Sequence, residues 1–107
     1  MSQAQRLDLH LHTTHSDGSF PTREVLTRAH QAGVTALAIT DHDITAAIPE
    51  ARAIGAELGI EIVPGVEISS TFMETELHIL GYFFDWQDPM LMDRLAHLRA
   101  TPRARNP

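Results

Sequence analysis

The sequence predicts an α/β fold with parallel strands, in the order β-α-β-α-β-β-α. Three observations carry that expectation. Residues 7–11, "LDLHL", alternate apolar and polar side chains, the period of a strand. Residues 34–40, "VTALAIT", are almost continuously apolar and rich in β-branched side chains, the pattern of a buried strand. Between such runs lie segments whose apolar residues recur every three or four positions, and a helix is the connection that successive parallel strands need.

Taken in order, the first strand opens into the polar loop Asp17-Gly18-Ser19. A helix over residues 22–32 follows, with Val25, Leu26, Ala29 and Ala32 on one face. Pro21 suits a helix start and Gly33 a helix stop. The second strand ends at "DHD", residues 41–43, and a second helix is expected over 49–58, closed by Gly59. "IEIVPGVEISS" is a third strand region in which Pro64-Gly65 imposes a kink, since proline inside a strand belongs at an edge or bulge. "ELHILGYFF", residues 76–84, reads as a fourth strand. Leu91, Leu95 and Leu98 mark a last amphipathic helix, which Pro102 would break.

At 107 residues the chain is one small domain, with a modest core. Its 43% hydrophobic and 21% charged content is that of a soluble globular protein, and no apolar run approaches the roughly 20 residues of a membrane span. "MSQAQR" has no apolar signal core, and the lack of cysteine rules out disulfides and thiolate metal sites. A cytoplasmic location is expected. The net charge of −6 makes a general nucleic-acid binder a poor reading, because neutralising phosphates takes cations. The basic residues Arg94, Arg99, Arg103 and Arg105 are expected to form a solvated helix face and tail.

The chemistry lies in the histidines and carboxylates. His10 and His12 are two apart on the first strand and share a face. Asp17 is in the loop beyond it, His42 just past the second strand, Glu67 after the Pro-Gly break, and His78 within the fourth strand. The C-terminal ends of parallel strands form one rim, so these six donors are expected to converge there. Imidazole and carboxylate suit Zn²⁺, Mn²⁺ or Fe²⁺, and a carboxylate can bridge two ions. His30 and His97, on helices, and His15, off the pattern, are expected to take no part. Asp8, Asp41 and Asp43 are expected to orient ligands or cap elements rather than bind metal.

"DLHLHTTHSDGS", "ALAITDHD", "VPGVEIS" and "ELHILGYF" together resemble the PHP (polymerase and histidinol phosphatase) domain family, in family order from Leu7 to about Phe84. The wording of "LHILGYFFD" is similar to the metal-dependent phosphoesterase subgroup that includes 3′,5′-nucleotide bisphosphate phosphatases and 5′–3′ exoribonucleases. The resemblance implies a distorted (β/α)₇ barrel holding up to three divalent ions (Mn, Zn, Fe or Mg). It implies that His10, His12 and Glu67 hold one ion, that Glu67 bridges to a second held by His78, and that Asp17 and His42 hold a third. His10, His12 and Glu67 would then be catalytic through the metal. A metal-activated hydroxide would hydrolyse a phosphate ester of a nucleotide or short nucleic acid, with no side-chain nucleophile.

A family barrel needs well over 200 residues, closed barrels of this kind being typically about 250. The resemblance therefore implies the N-terminal half of a barrel, residues 1–107 forming a partial domain with motifs over 7–84 and a weakly matching helix and tail over 88–107. Later family motifs supply further ligands and substrate contacts. An open barrel edge is expected to favour self-association or a completing partner. The alternatives are a histidinol-phosphate phosphatase and a non-catalytic, metal-binding or partner-completed PHP fragment. The expected partner is a small phosphorylated substrate, with no membrane.

Overall fold

The computed structural model describes residues 6–100, the side chains of residues 71 and 72 excepted. Its elements are β1 (Leu7–Leu11), α1 (Thr22–Gln31), β2 (Ala36–Ile39), α2 (Ala47–Leu58), β3 (Glu61–Ile62), β4 (Gly65–Phe72), β5 (Thr75–Tyr82) and α3 (Pro89–Ala100). The order is the expected alternation with one strand more. The Pro64-Gly65 break divides the third strand region in two. β1, β2 and β3 form a parallel sheet in that spatial order, and β4 pairs with β5 as an antiparallel hairpin. The expectation of parallel strands therefore holds for the first three and fails for the last pair. These strands do not close into a barrel.

β3 and β4 both run along β2. β3 pairs with Ala36 and Leu37, and β4 rejoins farther on through a parallel bridge between Glu67 and His42. The kink lies where β4 crosses closest to β2. A Cβ added to Gly65 would lie 2.8 Å from Thr40 Cγ2 and 3.2 Å from Ala38 Cβ, so only glycine fits without a shift. The hairpin turn, Met73-Glu74, has φ of 50° and 65°. Positive φ at both central residues is the hallmark of the two-residue turn whose twist matches paired strands. "ME" carries none of the Asn or Gly that would announce it, which is why the antiparallel pairing is invisible in the sequence.

The helices end largely where their punctuation says. Gly33 (φ 83°) and Gly59 (φ 72°) supply the left-handed residues after α1 and α2. α2 begins at Ala47, two residues before the expected start, with Pro49 inside its first turn. Proline is tolerated there because the first N–H groups of a helix have no intrahelical acceptor. Both helices cover one face of the parallel sheet. Val25, Leu26 and Ala29 of α1 and Ala47, Ala51 and Ile54 of α2 bury themselves against Leu37, Ile39 and Ile60.

β1 departs from simple alternation. Its register with β2 slips by one residue between Asp8 and Leu11, a bulge closed by Asp8 Oδ1 accepting from the His10 N–H at 3.3 Å. Leu11 therefore packs against the helix-covered core, while Leu7 and Leu9 line a hollow on the opposite face with Ala36, Val63, Tyr82 and Phe83. Tyr82 OH donates to the Leu9 carbonyl there. α3 lies over the loop after β2. Leu95 is buried, Thr45 Oγ1 donates to Met92 Sδ, and Arg99 Nη1 donates to the Asp43 carbonyl at 2.7 Å. Arg99 and Arg94 are both exposed, as expected of a solvated face, and Arg99 also anchors α3 to that loop. Arg103, Arg105 and the break at Pro102 lie outside the described residues.

Gly55 tests the fit of α2 on the sheet. An added Cβ would lie 2.6 Å from the Ile60 carbonyl oxygen and 2.8 Å from Ile62 Cγ1. Alanine gains about 1 kcal/mol of helix propensity but overpacks the core by about 1–3 kcal/mol. Gly55→Ala is expected to lower the urea midpoint, and an unchanged or raised midpoint would show that α2 sits farther from β3.

Candidate metal centre

The loop after β1 folds back on its own strand. Ser16 and Gly18 N–H both donate to the Thr13 carbonyl, and a Cβ at Gly18 would lie 2.5 Å from the His12 carbonyl oxygen. The loop is fastened to the end of β2 by Asp41, a buried carboxylate. Asp41 Oδ1 accepts from the Thr13 N–H at 2.6 Å and the Ser16 hydroxyl at 2.8 Å, and Oδ2 from the Thr13 hydroxyl at 2.7 Å. Asp17 is thereby held beside both His12 and His42. Asp8, Asp41 and Asp43 all bond main-chain or hydroxyl groups, the orienting role expected of them, and none joins the donor cluster.

The six expected donors come together around Glu67. Its carboxylate is 6% exposed, and its two oxygens face different partners. Oε1 lies 2.8 Å from His10 Nε2 and 3.1 Å from His12 Nε2, whereas Oε2 lies 2.7 Å from His78 Nδ1 and 3.7 Å from His42 Nδ1. On the other side of His12 and His42, Asp17 Oδ1 is 3.2 Å from His12 Nδ1 and Oδ2 is 3.1 Å from His42 Nε2. The four imidazoles form a continuous row, with successive ring centroids of His10, His12, His42 and His78 separated by 5.1, 4.7 and 5.0 Å. Three overlapping triads result: His10, His12 and Glu67; His12, Asp17 and His42; His42, Glu67 and His78.

The donor set fits divalent ions by three criteria. Ligand atoms about 2.1 Å from an ion are spaced about 3.0 Å apart in an octahedron and about 3.4 Å in a tetrahedron; the histidine–carboxylate separations here run from 2.7 to 3.7 Å, and the donor atoms of each triad all lie within 4.8 Å of one another. His12 Nδ1 is buried with no hydrogen-bond partner, although Asp17 Oδ1 is close by. The residues are nitrogen and oxygen donors of borderline hardness, matched to Mn²⁺, Fe²⁺ or Zn²⁺. Burial opposes ionisation of Glu67, but the His10 hydrogen bond, the nearby His42, the His78 hydrogen bond and His12 together hold its carboxyl below the usual range.

His15, His30 and His97 stay outside the cluster. All three are exposed, and His97 Nδ1 is 3.0 Å from the Asp93 carbonyl of its own helix. Sequence reasoning overlooked two features. The β1 bulge is one, signalled by nothing in "LDLHLH". The other is that His12 and His42 each face two triads through different ring nitrogens.

The geometry has counterparts among known proteins. The PHP domain family matches residues 8–98. The chain belongs to the PHP domain family. The match extends through most of α3. A 5′-3′ exoribonuclease of Haemophilus influenzae is 41% identical over 96 residues, 90% of this chain and 35% of that protein. A phosphoribosyl 1,2-cyclic phosphate 1,2-diphosphodiesterase of Eggerthella lenta is 47% identical over 76 residues, 69% of this chain and 29% of that protein. A crystal structure of an amidohydrolase from Chromobacterium violaceum, with bound sulfate and no metal, superposes with a TM-score of 0.85 at 38% identity, covering 89% of this chain and 34% of that one. The chain spans about a third of the length of the relatives it matches. Among the described residues, no helix is long and apolar enough to cross a membrane.

Glu67→Gln tests the centre. It preserves shape and removes the charge shared by two triads. Mn²⁺ affinity, read by calorimetry, is expected to fall by about 100-fold or more, beyond the loss usual for residues that only support ligands. Retention of full affinity would remove Glu67 from the ligand set. The metal-free chain has its own signature. Because folding lowers the Glu67 pKa below 4.5, the unfolded chain binds more protons in that window. The Glu67 contribution is complete above pH 4.5 and is lost as pH falls through the folded value. Urea melts at pH 6 and pH 3 are expected to show wild type losing more stability than Glu67→Gln, and equal losses would contradict the lowered pKa.

Proposed function

We propose that this chain carries the N-terminal part of a metal-dependent phosphoesterase centre, in which His10, His12, Asp17, His42, Glu67 and His78 hold divalent ions, and that the substrate is a phosphate ester of a nucleotide or short nucleic acid. The observation that carries the reading is the Glu67 carboxylate, buried and shared between two pairs of imidazoles through separate oxygens. Bound divalent ions would lower the pKa of water toward about 7 and offset charge on phosphoryl oxygens.

The chain's own residues supply the frame for that chemistry. His10 and His12 face Oε1 of the Glu67 carboxylate, and His78 and His42 face Oε2. His10 and His78 are half-exposed, so the row of imidazoles opens to solvent at both ends. A phosphoryl group can approach along the row, and water can supply the new P–O bond as the ester P–O bond breaks. The relatives support the substrate class. One is named for degrading RNA from the 5′ end and another for opening a cyclic phosphate, both cleavages of a phosphate ester.

A second reading has its own support. The relatives are about three times as long, so a partner or further chain that completes the fold is consistent with a module that binds metal without turnover by itself.

The test is hydrolysis by the Mn²⁺-loaded chain, read as phosphate release from a nucleoside 3′,5′-bisphosphate and histidinol phosphate and as mononucleotide release from a 5′-phosphorylated oligoribonucleotide. Release from the nucleotide substrates is expected, abolished by chelation and by His10→Ala with Glu67→Ala. A chain that binds Mn²⁺ and cleaves none of the three is the non-catalytic module, and preference for histidinol phosphate would overturn the nucleotide assignment.

A further inference from the structure

The hydrogen bonds between the end of β2 and β4 follow a parallel ladder for two steps and then change character. Glu67 N–H donates to the Asp41 carbonyl at 3.1 Å, and Asp43 N–H donates to the Glu67 carbonyl at 2.9 Å. A continuing parallel ladder would next send the Ser69 N–H to the Asp43 carbonyl. It goes instead to the Asp43 side chain, Oδ1, at 2.7 Å. The Asp43 carbonyl is turned away to accept from Arg99 Nη1 of α3.

The backbone explains the exchange. Asp43 has φ of 56°, the left-handed conformation that Asp adopts more readily than most residues. That turn takes the chain away from β4 and toward α2, so the main chain cannot supply the next rung. The carboxylate supplies it. Asp43 is fully buried and Ser69 is 2% exposed, so the bond forms out of water, where a charged acceptor on a backbone N–H is strongest.

The position of this rung matters for the centre. Ser69 stands directly opposite His78 in the β4–β5 hairpin, and Glu67 is two residues before it on the same strand. His42 immediately precedes Asp43. This side-chain bond therefore extends the two main-chain bonds between the segment carrying His42 and β4 by one rung, at the level of His78. We propose that Asp43 is a positioning residue: its carboxylate replaces a main-chain carbonyl in the β2–β4 ladder and so sets the His42, Glu67 and His78 triad in register before any ion arrives. The proposal rests on reading that triad as a metal site.

Two substitutions separate the carboxylate from the backbone. Asp43→Asn keeps an oxygen acceptor and tolerates positive φ. Asp43→Gly relaxes the left-handed backbone while removing the acceptor, so its fold is not at risk from strain. The measurements are Mn²⁺ affinity by calorimetry and amide hydrogen exchange at Ser69 in the metal-free chain. Asp43→Asn is expected to bind within about threefold of wild type with Ser69 protected. Asp43→Gly is expected to bind about 10- to 100-fold more weakly, the usual loss for a residue that orients ligands, with Ser69 exchange accelerated. Asp43→Gly binding as tightly as wild type would overturn the proposal even if the variant melts at a lower temperature, since that is a purely structural role. Equal weakening in both variants would overturn it by assigning the effect to charge. Failure of the wild-type chain to bind Mn²⁺ would instead overturn the metal reading, and this inference with it.

Discussion

The Glu67 carboxylate is the constraint around which the strand ends are arranged. A carboxylate this deeply buried is costly unless groups that favour its charge surround it. Here they do, as four imidazoles in a row, two against each oxygen. The arrangement fixes where everything else must be. β1 must deliver two histidines side by side, β2 must end with His42 pointing at the opposite oxygen, and the strand carrying Glu67 must pass close enough to the end of β2 to form the Glu67–His42 bridge. The near approach of β4 to β2 at Gly65 serves the last of these requirements, and the fold-back of residues 13–18 adds Asp17 beside His12 and His42.

Two buried aspartates flank His42 and divide the work. Asp41 binds the loop that carries Asp17, through one N–H and two hydroxyls. Asp43 binds the strand that carries Glu67, through Ser69 N–H. His42 is thus tied to both neighbouring segments by the residues on either side of it, and its ring faces Asp17 with one nitrogen and Glu67 with the other. "DHD" is a compact statement of that geometry: two side chains that hold and one between them that is held. Arg99 adds a third tie from α3 onto the same turn.

Most of this was legible in the sequence because it rests on local patterns. The six donors, the helix-closing glycines and the break at Pro64-Gly65 are all short-range signals, and the structure brings those six donors together. What was not legible depends on contacts between distant residues. The bulge slips the register of β1 on β2, so that Leu11 joins the core while Leu7 and Leu9 line the other face, a match written in neither strand alone. The antiparallel hairpin rests on positive φ at Met73 and Glu74, residues that do not advertise it. Arg99 reads as a surface charge until the Asp43 carbonyl is found turned toward it. The structure nonetheless sets His78 beside Glu67, because β5 returns antiparallel to β4 with His78 opposite Ser69.

The number of donors bears on the chemistry. A neutral imidazole has one lone pair for a metal, so His12 and His42, each facing two triads, can serve only one ion apiece. Glu67 escapes that limit, because its two oxygens face separate triads. The half-exposed histidines at each end leave the row open to solvent there. The choice of one triad by each of His12 and His42 leaves Glu67 as the residue common to the donor sets on either side of the row.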